Sequence, residues 1–150
     1  MYEKILVPVD GSPTSLRGLR EAIQVARLSG GRLKLLHVVD EMSFMTGLEA
    51  GVAMTTEILQ LLREGGEKVV SDALAEVRAA GLDADTELFE SYAGRVSDLV
   101  IAKAQEWGAQ LIVLGTHGRR GVGRMLLGSD AEQIVRLSPV PVLLVRGSAS

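Results

Sequence analysis

A chain of 150 residues, 47% hydrophobic and 23% charged, is long enough for one domain with a sizeable core and too apolar to remain disordered. Its net charge of −3 argues against general nucleic-acid or anionic-membrane binding, and the absence of cysteine removes disulfides, thiol catalysis and thiolate metal sites. No run approaches the length of a membrane span, and Met1-Tyr2-Glu3-Lys4 leads into a strand with no signal-peptide layout. A single soluble domain over residues 1–150, in a reducing cytoplasm, is the expectation.

Ile5 to Val9 read as an apolar strand ending at Asp10-Gly11-Ser12, with Ser12 placed as an N-cap and Pro13 at the first helical position. The helix to about Ser29 carries Leu16, Leu19, Ile23 and Ala26 as a core stripe, and Gly30-Gly31 ends it. Leu33 to Val39 is a second strand, with His37 packed inside it. From Glu41 to Ala53 periodicity breaks into a long loop. Helical spacing resumes from about Thr55 to Ala80, where Gly65-Gly66 predicts a kink or interruption. Asp85 to Tyr92 alternates polar and apolar residues, the pattern of an edge strand with one solvated face.

Arg95 to Trp107 is the next helix, with Val96, Leu99, Ile101, Ala102 and Ala104 turned inward and Trp107 at the core edge. The unbroken apolar run Leu111–Leu114 reads as a strand buried on both faces, and Val142–Val145 is a second apolar strand. Between them a short helix opens at Ser129 and stops before Pro139 and Pro141. The alternation of strand and helix predicts an α/β fold, a parallel sheet with right-handed crossovers and helices on both faces. Spacing alone leaves the strand order open.

The chemistry concentrates after Leu114. Gly115, Gly118, Gly121, Gly123 and Gly128 are interrupted by Arg119, Arg120 and Arg124, and the loop runs into a helix N-terminus at Ser129. Glycines let backbone N–H groups approach an anion, and a helix start adds unpaired donors and partial positive charge. No Gly-Lys-Ser/Thr follows, so this is not a Walker loop. His117 has no serine, cysteine or carboxylate spaced to form a triad and reads as solvated or phosphate-adjacent; two histidines without paired spacing propose no metal site. Ser129-Asp130-Ala131-Glu132 forms a capping box that satisfies the first helix donors without a ligand. Met125-Leu126-Leu127 could tuck into the sheet end or cover a ligand or partner.

The spacing Gly115-x2-Gly118-x9-Gly128-Ser129 resembles the ATP-binding motif of the universal stress protein family, and KILVPVDGS at Lys4 to Ser12 and SPVPVLLVR at Ser138 to Arg146 resemble its first and last strands. The resemblance covers essentially the whole chain. It implies a Rossmann-like open sheet in the order 3-2-1-4-5, which sets the first and fourth strands at the point where strand order reverses and ligands bind. It implies ATP or AMP, with Mg²⁺ accompanying the nucleotide, held by Pro8, Val9, Asp10, Ser12, Val39, Gly115, His117, Gly118, Arg119, Gly128, Ser129 and Asp130. In that role Asp10 accepts from ribose hydroxyls, Val9 and Val39 offer strand-end backbone and apolar surface to adenine, and the glycines and Ser129 hold phosphate.

Asp130 departs from the small uncharged residue that the resemblance leads one to expect. As a first-turn acid it suits the helix dipole, but at ~6 Å from a phosphate charge and an effective dielectric of ~20 it costs roughly 2 to 3 kcal/mol per unit charge before screening. The family order also makes Val140–Arg146 an edge strand, apolar enough to need covering, so a homodimer through that strand is expected. The first reading is therefore a nucleotide-binding stress sensor or regulator, with hydrolysis at most slow because no positioned base or metal ligand is evident. A second is a stress protein of the same fold that binds no nucleotide and acts through protein contacts. A third, an enzyme using Asp10 as base on a phosphorylated small molecule, has less behind it. A receiver-type signalling domain lacks support because its acidic pair is absent at Asp10-Gly11.

Overall fold

The structure is a computed structural model that describes residues 1–40, 56–91, 95–116 and 129–147. Five parallel strands, β1 (Lys4–Pro8), β2 (Arg32–Asp40), β3 (Ala84–Ser91), β4 (Leu111–Thr116) and β5 (Val142–Arg146), form one sheet in the order β3-β2-β1-β4-β5. The described helices are α1 (Pro13–Ser29), α2 (Thr56–Ala79), α3 (Val96–Trp107) and α4 (Ser129–Leu137).

Strand periodicity of two divides the core into two layers. Ile5, Val7, Val9, Leu33, Leu35, Leu111 and Val113 face α1 and α2, which contribute Leu19, Ala22, Ile23, Ala26, Ala73 and Val77. Leu6, Leu36, Ile112 and Leu114 face α3 and α4, which contribute Val100, Ala104 and Ile134. The central strands are apolar on both faces because both faces are covered.

Ser12 caps α1, its hydroxyl accepting from Ser15 N–H at 3.1 Å with Pro13 at the first turn, and Gly30 closes it at φ 73°. Two expectations change. Gly65-Gly66 does not interrupt α2; Gly66 is buried, and a Cβ there would stand 2.8 Å from Leu88 Cδ1 and 3.0 Å from His37 Cδ2 and Val39 Cγ2. Gly66 permits close packing of helix on sheet, whereas Gly65 faces open space. In α3 the buried stripe is Ser97, Val100 and Ala104, while Leu99 and Ile101 are only half-buried and Ala102 is exposed. A buried serine shifts the inward face by one step, and counting apolar residues passes over it.

A polar cluster ties β2, β3 and α3 together. The Glu87 carboxylate meets Lys103 at 2.9 Å and Lys34 at 3.1 Å; Lys103 also lies 4.8 Å from the Phe89 ring centroid. The close ammonium of Lys103, followed by that of Lys34, holds the Glu87 carboxyl below its ordinary value of 4.5 against an opposing desolvation, and Glu87 in turn raises Lys103 above 10.5. The depressed acid contributes stability that is fully present above pH 4.5 and is lost as pH falls through its folded value. The raised lysine contributes below pH 10.5 and loses that contribution as pH rises through its folded value. Glu87→Gln is therefore expected to lower stability at neutral pH and flatten its acid dependence below pH 4.5, read by urea melts at several pH values. Asp83, lowered mainly by the Ala84 N–H, contributes a remaining acid slope. An acid limb unchanged in the variant would refute the assignment.

Candidate functional site

β4 runs beside β1 only at Ile5↔Leu111 and Leu6↔Ile112, whereas β2 accompanies β1 as far as Pro8↔Leu36. The first and fourth strands thus part at their carboxyl ends, and a cleft of ≈430 Å³ opens between them. Its walls are apolar where Val38, Val96, Val100, Leu114 and Ile134 meet, and its mouth is polar, with Asp10, Ser12, Thr116 and Asp130.

Asp10 lies at the mouth of the cleft and is exposed. Its Oδ1 accepts from Ser12 N–H at 2.8 Å, so this carboxylate also forms the turn into α1. Among the described residues Oδ2 has no hydrogen-bond partner, which leaves it acceptor capacity. Pro8, Val9, Ser12, Gly115 and Asp130 also line the cleft. The Ser12 oxygen is already an acceptor in the helix cap, and its O–H hydrogen remains available to donate to a ligand.

One site assignment shifts by one residue. Val39 is 5% exposed and packs toward Gly66 of α2, on the face away from the cleft; Val38 is the wall residue. The backbone of Gly115 borders the cleft, but the missing side chain answers to α1. A Cβ there would collide with the Thr14 carbonyl oxygen and stand 3.2 Å from Ser15 N, and one on Gly18 would stand 2.7 Å from Gly115 N. Gly115 belongs to β4, and the cleft-facing position beside it is Thr116, a buried residue that sequence reasoning missed. Alternation along the strand was the available signal: Ile112, Leu114 and Thr116 share one face.

Val9 carries a further correction. Its N–H donates to the Leu36 carbonyl at 2.8 Å and its carbonyl accepts from the His37 ring at 2.7 Å. Both backbone groups already have partners in β2, and its side chain packs in the core layer beneath α1 and α2. His37, expected as ordinary packing, is half-buried and makes this specific bond.

His117, Gly118, Arg119, Gly128 and the Met125–Leu127 run lie outside the described residues, as do the Glu41–Ala53 loop, Tyr92 and the Ser129 side chain. Ser129 does open α4, with Asp130 and Glu132 in its first turn; Glu132 pairs with Arg136 at 3.3 Å. Asp10 and Asp130 give the described part of the cleft two carboxylates, and no lysine or arginine lines it. No cluster of three or more metal-ligating side chains occurs among the described residues. No described helix is long and apolar enough to cross a membrane.

A larger groove of ≈760 Å³ lies between α2 and β3. Its cation, Arg63, is already matched by Glu90 at 3.4 Å and Glu67 at 3.9 Å, which leaves little for an anionic ligand.

An open parallel sheet with a cleft at its strand-order reversal defines a doubly wound α/β protein, the class in which ligands sit at that reversal. Residues 1–146 match the universal stress protein family. The chain is 34% identical over 146 residues to universal stress protein MJ0531 of Methanocaldococcus jannaschii, covering 97% of this chain and 83% of that one. Its fold superposes on protein MJ0577 of the same organism with a TM-score of 0.81 at 27% identity, over 100% and 99% of the two chains. It superposes on a universal stress protein in complex with cAMP with a TM-score of 0.70 at 25% identity, over 98% and 99%. The chain belongs to the universal stress protein family.

Proposed function

We propose that this protein is a cytoplasmic, homodimeric stress sensor or regulator that binds an adenine nucleotide in the β1–β4 cleft, and that it favours a monophosphate over metal-free ATP. The carrying observation is the composition of that cleft: an apolar slot beside Asp10, with Asp130 also on its lining. The slot suits a purine face, Asp10 suits ribose hydroxyls, and the start of α4 suits one phosphate. The relative that binds cAMP through the same fold supports the ligand class.

Three unscreened phosphates would meet Asp130. Mg²⁺ accompanying ATP would reduce that repulsion, as would Arg119, Arg120 and Arg124. Calorimetric titration is expected to show AMP binding more tightly than ATP without Mg²⁺, with Mg²⁺ closing part of the gap. Asp130→Val should improve metal-free ATP binding by about three- to tenfold after screening, while changing AMP binding less. No binding of any adenine nucleotide by either protein would leave the family fold in place and favour action through protein contacts.

The two sheet edges support the dimer. β3 carries Asp85 and Glu87 with Asp83 just before it, and these pair with Arg32, Lys34, Lys103 and Arg78, the charged treatment that keeps an edge solitary. β5 presents Val142-Leu143-Leu144-Val145, all only half-buried, and Val135 and Leu137 on α4 are 43% and 51% exposed. Gly147 N–H donates inward to Thr116 at 2.7 Å, so by alternation the Leu144 N–H points outward along the open edge. Leu144→Pro should remove an outward donor while keeping the β4–β5 ladder, and so convert a dimer to a monomer in light scattering at micromolar concentration. A monomeric wild type would end the dimer reading.

A further inference from the structure

The end of β1 is held to the sheet from one side only. β4 has left it after Leu6, and Pro8 has no N–H to donate. The Val9 N–H still reaches Leu36, but its carbonyl takes no further backbone rung and accepts instead from His37 Nδ1 at 2.7 Å. A carbonyl can only accept, so Nδ1 carries the hydrogen of this bond.

The opposite end of the same peptide is held as well. Val9 C=O and Asp10 N–H belong to one planar unit, and Asp10 N–H donates to the buried Ser15 hydroxyl at 3.1 Å. One side chain from β2 and one from α1 therefore pin a single peptide plane at both ends. The plane leads directly into the Asp10 Cα, and its orientation sets where the carboxylate points. Gly66 gives the imidazole its room, since a Cβ at that position would stand 3.0 Å from His37 Cδ2.

We propose that His37 is a positioning residue of the ligand cleft: its Nδ1–H replaces the missing ladder rung at Val9 and thereby holds the Asp10 carboxylate at the mouth. The clamp stands on this geometry, and its consequence for ligand rests on the nucleotide reading above. A leucine at position 37 keeps the bulk and removes the donor. Asparagine places an N–H close to where Nδ1 stands and restores it.

The test uses the full-length chain with AMP as probe, and combines titration, amide exchange and ¹⁵N imidazole spectra. With the ring neutral, the wild-type spectrum should show the Nδ1–H tautomer. His37→Leu should weaken AMP binding ~tenfold and speed amide exchange at Asp10 by a similar factor, as expected when a partly buried carbonyl loses its donor. His37→Asn should stay within ~threefold of wild type in both. An Nε2–H ring in the wild type, or a leucine variant that binds and exchanges like the wild type, would overturn the proposal. Should the leucine variant not fold, an asparagine variant ~tenfold weaker for AMP would do the same. A wild type that binds no AMP, yet shows the Nδ1–H ring and leucine-specific exchange, would overturn the nucleotide reading and the ligand role while retaining the clamp.

Discussion

Gly115→Ala is expected to destabilise the protein by ~3 kcal/mol or more, a fall of about 6–12 °C in melting temperature for a domain of this size. The added methyl meets the Thr14 carbonyl oxygen and the Ser15 amide, which are backbone atoms at the start of α1 and cannot rotate aside. Relief requires α1 to lift from β4, and α1 carries Leu19, Ala22, Ile23 and Ala26 into the core. Gly18→Ala presses the same contact from the other side, 2.7 Å from Gly115 N, so the double variant should cost less than the sum of the two. Thermal and urea melts decide this. A Gly115→Ala protein melting within ~2 °C of wild type would show that the contact is compliant. The prediction bears on how binding data are read: a variant at this position loses ligand by losing the fold, even though it falls on the first glycine of the motif.

Asp10→Asn separates the two duties of that residue. Asparagine retains an Oδ1 to accept from Ser12 N–H, now 2.8 Å away, so the turn and the cap on α1 should survive with little change in melting temperature. The second oxygen becomes a donor and the charge disappears, so a ribose hydroxyl loses its charge-assisted acceptor. AMP affinity is expected to fall by ~10- to 100-fold, the scale of one hydrogen bond to a charged group. Asp10→Ala should lose the turn as well, and so combine weaker binding with lower stability. If Asp10→Asn binds AMP as tightly as the wild type, the carboxylate is a turn former and nothing more. That result would shift the weight of the site to α4 and the cleft walls.

The elements and their limits were largely legible in the residues. Ser12-Pro13 and Gly30 marked α1, the alternation from Asp85 marked the edge strand, and the apolar run from Leu111 marked a strand covered on both sides. Each of these signals is local: a cap, a period or a breaker acts within a few residues of itself. Glycines were less legible, because a glycine is equally compatible with a bend, a flexible loop and a close approach. Gly66 and Gly115 proved to be close approaches, and the atoms they make room for lie in other elements.

The residues by themselves determined the α/β class, the alternation of strand and helix, and Asp10 at a strand end beside a helix start. These follow from periodicity and capping, which need no knowledge of distant neighbours. Only the tertiary structure decided that Val38 and Thr116, not Val39, face the cleft, because a one-residue step along a strand reverses the face and loop lengths do not set that phase. Only it showed that the Val9–Asp10 peptide is held by His37 and Ser15 together, since a hydrogen bond between β1 and β2 exists only once the two strands lie side by side.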